Sequence, residues 1–95
     1  MAVAVTMEFD GTTIAQYDAV IERMGFTPGG DGPAGLLFHW ACETPGGVRV
    51  TDVWEGREQF DRFAAETIGP ITAEVGVPGP PKSEYIDVHS YLTAP

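Results

Sequence analysis

The pattern of hydrophobic positions is densest in Leu36–Trp54, LLFHWACETPGGVRVTDVW, where two apolar runs flank the breaker Thr44-Pro45-Gly46-Gly47. This pattern predicts a β-hairpin with strands over roughly 36–43 and 48–54. A tight turn centred on Pro45-Gly46 and a four-residue loop over Thr44–Gly47 give the same cross-strand register. His39 then faces Asp52, Leu37 faces Trp54 and Ala41 faces Val50, with all six on one side. A one-residue bulge at Gly46-Gly47 would instead separate His39 from Asp52. The other side carries Phe38, Trp40, Cys42, Thr51 and Val53. Neither side is polar enough for water, so both need covering.

The flanking segments supply the remaining elements. Val3–Phe9 alternates, with Val3, Val5, Met7 and Phe9 opposing Ala4, Thr6 and Glu8, as a half-buried strand does. Asp10-Gly11 turns the chain. Thr13 followed by Gln16 has capping-box spacing, and Ile14, Tyr17, Ile21 and Met24 fall on one helical stripe. With Gly25 as the stop, a helix is expected over 13–24. A second helix follows Glu55-Gly56, with Phe60, Phe63, Ala64 and Ile68 as its apolar stripe. Glu58 and Arg62 stand in the favourable i, i+4 order. Gly69-Pro70 is expected to break this helix, with a further short turn over Ile71–Val75. Val77-Pro78-Gly79-Pro80-Pro81 can be neither helix nor central strand and reads as an extended tether. Ser83–Leu92 alternates again, placing Tyr85, Asp87, His89 and Tyr91 opposite Ile86, Val88, Ser90 and Leu92.

The element order is therefore β-α-β-β-α-β. Right-handed crossovers, short connections and a central hairpin favour a four-stranded antiparallel sheet in the order 4-1-3-2. Both helices then lie on one face. The second face stays open and apolar, and pairing with a second copy would cover it, so a homodimer is expected.

Composition narrows the partners. Ninety-five residues make a single domain spanning 1–95, small enough that a lone core would be marginal. A net charge of −9 repels phosphate backbones and anionic lipid, so neither nucleic acid nor a membrane surface is expected as a partner. The start MAVAVTMEFD has neither a basic cluster nor a long apolar run, so no signal peptide is expected. The single cysteine, Cys42, cannot form an internal disulfide, and its use fits a reducing cytoplasm. Thr27–Gly35, TPGGDGPAG, lacks the lysine of a phosphate-binding loop and leads into a strand, so it reads as a connection.

His39 opposite Asp52 is the candidate catalytic pair. A carboxylate on one ring nitrogen would set the tautomer, raise basicity and present the other nitrogen to a ligand. The same pairing would also arise simply to satisfy two half-buried polar groups. Trp54, two residues along, could wall a binding site. Tyr85, His89 and Tyr91 share one side of the last strand and are further candidates for substrate contact, although aromatic packing at an edge would explain them equally. A metal shared by His39 and His89 is not expected. In the order 4-1-3-2 they stand on opposite edge strands, about 14 Å apart, against about 2 Å from ligand to ion.

The stretch VTDVWEGREQFDRFAAETIGPITAEVG resembles the strand–Trp–Glu–helix segment of dimeric α/β-barrel proteins with a ferredoxin-like fold, including the antibiotic-biosynthesis monooxygenases. GLLFHWACETPGGVRVTDVWE and PPKSEYIDVHSYL are similar to a set of small actinobacterial-type proteins. The resemblance covers about residues 36–92. One departure is Gly56, where many relatives carry a helix-capping serine; glycine there costs a few tenths of a kcal/mol. Haem degraders of that fold carry a histidine on the second helix, and 57–68 has none, so no haem is implied.

The resemblance implies α+β architecture pairing as a dimeric barrel. It also implies monooxygenase-like chemistry, without a cofactor, on an aromatic or polyketide-like small molecule. His39 and Asp52 would form the base, and Trp54, Tyr85, His89 and Tyr91 the pocket walls. The alternative is a non-catalytic small-molecule binder or dimerisation module. A cavity opening onto His39 separates the two.

Overall fold

A computed structural model describes residues 1–95. Its elements are β1 (Val3–Asp10), α1 (Ile14–Met24), β2 (Leu36–Thr44), β3 (Gly47–Trp54), α2 (Arg57–Phe63), a π-helical turn (Ala64–Ile68), α3 (Gly69–Val75) and β4 (Lys82–Asp87). The strands form one antiparallel sheet in the order β2-β3-β1-β4, which is the expected 4-1-3-2. No helix is long and apolar enough to cross a membrane.

The local signals act as their chemistry requires. Thr13 and Gln16 make the reciprocal capping box at 2.9 and 3.1 Å. Gly25 closes α1 in the left-handed conformation that a side chain would resist. In the hairpin, Thr44 pairs with Gly47, so the tight Pro45-Gly46 turn is the one adopted. A Cβ on Gly47 would collide with the backbone carbonyl of Phe9, because β1 passes close by as it pairs with β3.

The hairpin register places His39 opposite Asp52 and Ala41 opposite Val50. Leu37 does not face Trp54. An irregularity between Leu36 and Phe38 puts Leu36 there instead, so the bulge falls at the start of β2 and not at the turn.

The core is Val3, Val5, Met7, Val48, Val50, Trp54 and Phe60, gathered where α2 crosses the central strands. Trp54 meets Phe60 edge-on at 5.9 Å and Phe63 at 5.4 Å, a geometry that favours the ring quadrupoles. Over α1 the apolar stripe packs differently from expectation. Val20 is its buried residue, Ile14 is exposed, and Tyr17, Ile21 and Met24 are half-buried because they border a cavity.

Gly69-Pro70 does not break the second helix. The backbone stays right-handed helical from Phe63 through Gly69, and the Gly69 N–H reaches the carbonyl of Ala64. The π turn absorbs the register change ahead of Pro70, which has no N–H to give. The Thr72 hydroxyl bonds the carbonyl of Ile68 at 2.7 Å, one turn back along the same helix. β4 ends at Asp87, earlier than the alternation suggests. Its partner β1 begins at Val3, opposite Asp87, and one further bond runs from the Val88 N–H to the Ala2 carbonyl.

The sheet face away from the helices is uncovered. On it Phe38, Trp40 and Ile86 are 62, 44 and 57% exposed.

Candidate functional site

Four side chains from three elements meet on the helix-covered side of the sheet. Asp52, on β3, is buried and points into the same layer as Val5, its neighbour on β1. Trp54, two residues on and so on the same face, donates its indole N–H to Asp52 Oδ2 at 3.1 Å. Asp52 Oδ1 lies 2.6 Å from His39 Nδ1 across the hairpin. His39 Nε2 in turn lies 2.6 Å from the hydroxyl of Tyr17, which descends from α1 with its ring nearly parallel to the imidazole.

The direction of this chain follows from its ends. The indole can only donate, so the Asp52 carboxylate accepts from it and draws a proton onto His39 Nδ1. The Nε2 lone pair then accepts the Tyr17 O–H. Burial, followed by the carboxylates of Asp52 and Asp18, pushes the Tyr17 phenol above its ordinary range. The phenol therefore keeps its proton and remains the donor. The result is an imidazole held in one tautomer and one orientation, with a phenol as the contact between Nε2 and open space.

That open space is a cavity of about 1070 Å³ between α1 and the sheet, lined by Tyr17, His39, Asp52 and Trp54 at one end. Its walls include Met7, Ile21, Met24, Phe26, Leu36 and Phe63, and the connection Thr27–Pro33 forms part of its rim. Mostly apolar walls with a few convergent polar groups describe a small-molecule pocket.

Of the six residues singled out from sequence, His39, Asp52 and Trp54 come together here. Tyr85 does not join them. It packs under α2, edge-on to Phe60 at 5.7 Å and beneath the Arg57 guanidinium at 3.8 Å, beside a second cavity of about 640 Å³. The His89 and Tyr91 side chains lie past the end of β4, exposed and outside both cavities, since the strand stops where β1 stops. Tyr17 is the residue that sequence reasoning left as stripe. Its only signal was a phenol among aliphatic positions on the helix face turned toward the sheet.

No family model matches the chain, and no curated protein matches it. Among solved structures it is similar to a monooxygenase from the gene ActVA-Orf6 of Streptomyces coelicolor, in complex with the ligand nanaomycin D. Identity is 19%, coverage 99% of this chain and 92% of that chain, and the TM-score 0.58. It is also similar to SnoaB, a cofactor-independent oxygenase from Streptomyces nogalater, at 18% identity over 99% of this chain and 96% of that one, with a TM-score of 0.53. A mutant of SnoaB aligns at 15% identity over 98 and 97% of the two chains, with a TM-score of 0.57. The chain thus shares with these structures the ferredoxin-like α+β fold that its strand–Trp–Glu–helix segment implied.

Proposed function

We propose that this protein is a cofactor-independent, oxygenase-type enzyme acting on an aromatic small molecule held in the large cavity. The observation that carries the reading is the hydrogen-bonded chain Trp54–Asp52–His39–Tyr17, ending at the wall of a cavity large enough for a multi-ring compound. Its fold neighbours, a monooxygenase and a cofactor-independent oxygenase, support the same class of chemistry.

In this reading the acidic O–H or C–H of the substrate approaches the Tyr17 oxygen. Tyr17 takes that proton as its own passes to His39 Nε2, and Asp52 stabilises the imidazolium. The electron-rich substrate anion then reduces dioxygen, the co-reactant. For an anthrone the balance is substrate plus O2 giving quinone plus water. Apolar walls exclude bulk water from the anion. The open sheet face, with Phe38, Trp40 and Ile86, is the surface by which two copies pair as a dimeric barrel.

A second reading has its own observation. Every polar atom of the four-residue chain is already satisfied within the protein, as in a binder that needs no proton transfer. Oxygen uptake and quinone formation from 1,8-dihydroxy-9-anthrone, compared among wild type, His39→Ala and His89→Ala, distinguish the two. The enzyme reading expects turnover to fall by about 10²- to 10⁴-fold in His39→Ala and to persist in His89→Ala. Turnover that survives His39→Ala but is lost in His89→Ala overturns the assignment. Binding without turnover selects the binder.

A further inference from the structure

Alternation along β2 divides its side chains between the two faces of the sheet. His39 and Ala41 stand on the helix-covered face with Asp52 and Val50, and Phe38 and Trp40 stand on the open one. Yet all four border the large cavity. A cavity bordered from both faces of one strand passes around that strand's free edge. β2 is such an edge: it pairs with β3 on one side, and no further strand stands beyond it. The cavity that begins under α1 therefore reaches the open face, at two side chains that are largely exposed within one chain.

The open face is suited to a like surface. Cross-strand register sorts it into rows, with Phe38, Val53, Ala4 and Ile86 forming an apolar row at one end. Cys42, Arg49, Glu8 and Lys82 form the row at the other end, where Arg49 is ion-paired with Glu8 and Lys82 with Asp10. The chain has 5 cationic side chains against 14 acidic ones, and Arg49 and Lys82 place two of the 5 on this face. Charge that would hold two acidic copies apart is thereby largely neutralised here. A row of alternating sign beside an apolar row suits two-fold pairing of identical faces.

We propose that the large cavity is a complete binding site only when a second copy is seated on the open face, so that ligand binding and pairing of two copies are one coupled equilibrium. This rests on the reading above, in which an aromatic ligand occupies that cavity. A single chain leaves such a ligand exposed along β2, where water reaches both the ligand and the anion formed from it. A second copy seated against Phe38 and Trp40 covers that side. Whatever factor pairing adds to ligand affinity, the ligand adds to pairing.

The test needs a variant that breaks pairing without touching the cavity. Ile86 lies on β4, at the opposite edge of the open face, and borders neither of the two cavities described above. Its side chain is exposed within one chain, so Ile86→Asp should keep the wild-type far-ultraviolet circular dichroism. The probe is 1,8-dihydroxyanthraquinone, the quinone that the anthrone would yield. Ile86→Asp is expected to sediment as a single chain and to bind the probe about tenfold more weakly than wild type. Saturating probe should tighten the wild-type dimer by the same factor. Equal affinity in wild type and monomeric Ile86→Asp, or a dimer constant that the probe leaves unchanged, overturns the coupling and leaves the cavity reading standing. A wild type that is a single chain, or an Ile86→Asp that still pairs, overturns the interface. Failure of the probe to bind wild type at any protein concentration overturns the cavity reading together with this one.

Discussion

At the scale of single residues, the pairing of Tyr17 with His39 is the arrangement from which the rest of the chemistry follows. Nε2 does not face the cavity bare; the phenol stands between it and any ligand. If Tyr17 relays the proton, Tyr17→Phe should lower turnover of an anthrone by at least tenfold while binding is retained. Equal turnover in Tyr17→Phe would remove the relay and return the contact to His39. The raised phenol pKa adds a stability prediction with a definite sign. Between the unfolded value near 10 and the higher folded value, the folded chain keeps a proton that the unfolded chain releases. Stability is therefore full below that range and falls as pH rises through it. Urea midpoints measured between pH 9 and 11 should decline in wild type and decline less in Tyr17→Phe. Trp54 tests the inner end of the chain. It is buried in the core and also donates to Asp52. Trp54→Ala should cost about 3–5 kcal/mol by urea denaturation, and a loss below about 1 kcal/mol would mean that the surrounding rings do not depend on it.

At the scale of elements, two features have clear energetic consequences. The Thr13–Gln16 capping box holds the start of α1, and Gln16 also reaches the Gly76 carbonyl at the end of α3. Thr13→Ala should destabilise by about 1 kcal/mol in urea denaturation. Because Tyr17 lies one turn further along the same helix, that variant should also weaken the Tyr17–His39 contact, visible as a shift of the His39 ring resonances. The π turn at Ala64–Ile68 shows how a proline can be kept inside a helix: one residue of extra register lets the chain continue through Gly69-Pro70. Ile68 borders both cavities from this turn, so the turn also shapes the wall between them.

At the scale of the whole molecule, the sheet is covered on one face only. Phe38, Trp40 and Ile86 make an apolar surface on the other, larger in effect than scattered exposed residues because all three share one face with Val53. Sedimentation equilibrium at micromolar concentration should give twice the 10.2 kDa chain mass. Phe38→Asp should shift that mass toward a single chain while leaving the far-ultraviolet circular dichroism of the monomer intact. A wild type that sediments as a well-folded single chain would show that the open face is tolerated in water. Dimer pairing would also set the surroundings of His89 and Tyr91, which within one chain touch neither cavity.

The sequence alone determined what depends on near neighbours and on periodicity. A period of two along β2 and β3, joined by one tight turn without a bulge at it, puts His39 opposite Asp52. Capping residues and a terminal glycine bound α1 for similarly local reasons. Strand order followed from element order and the handedness of crossovers. The tertiary structure decided what depends on how elements rest against one another. The height and rotation of α1 over the sheet brought Tyr17, 22 residues away in the chain, onto His39. The same seating left space beneath the helix, so residues that read as core became cavity wall. β4 ended at Asp87, opposite the first residue of β1, which left His89 and Tyr91 beyond the strand despite their unbroken alternation. Periodicity records which way a side chain faces; only packing decides whether anything stands in front of it.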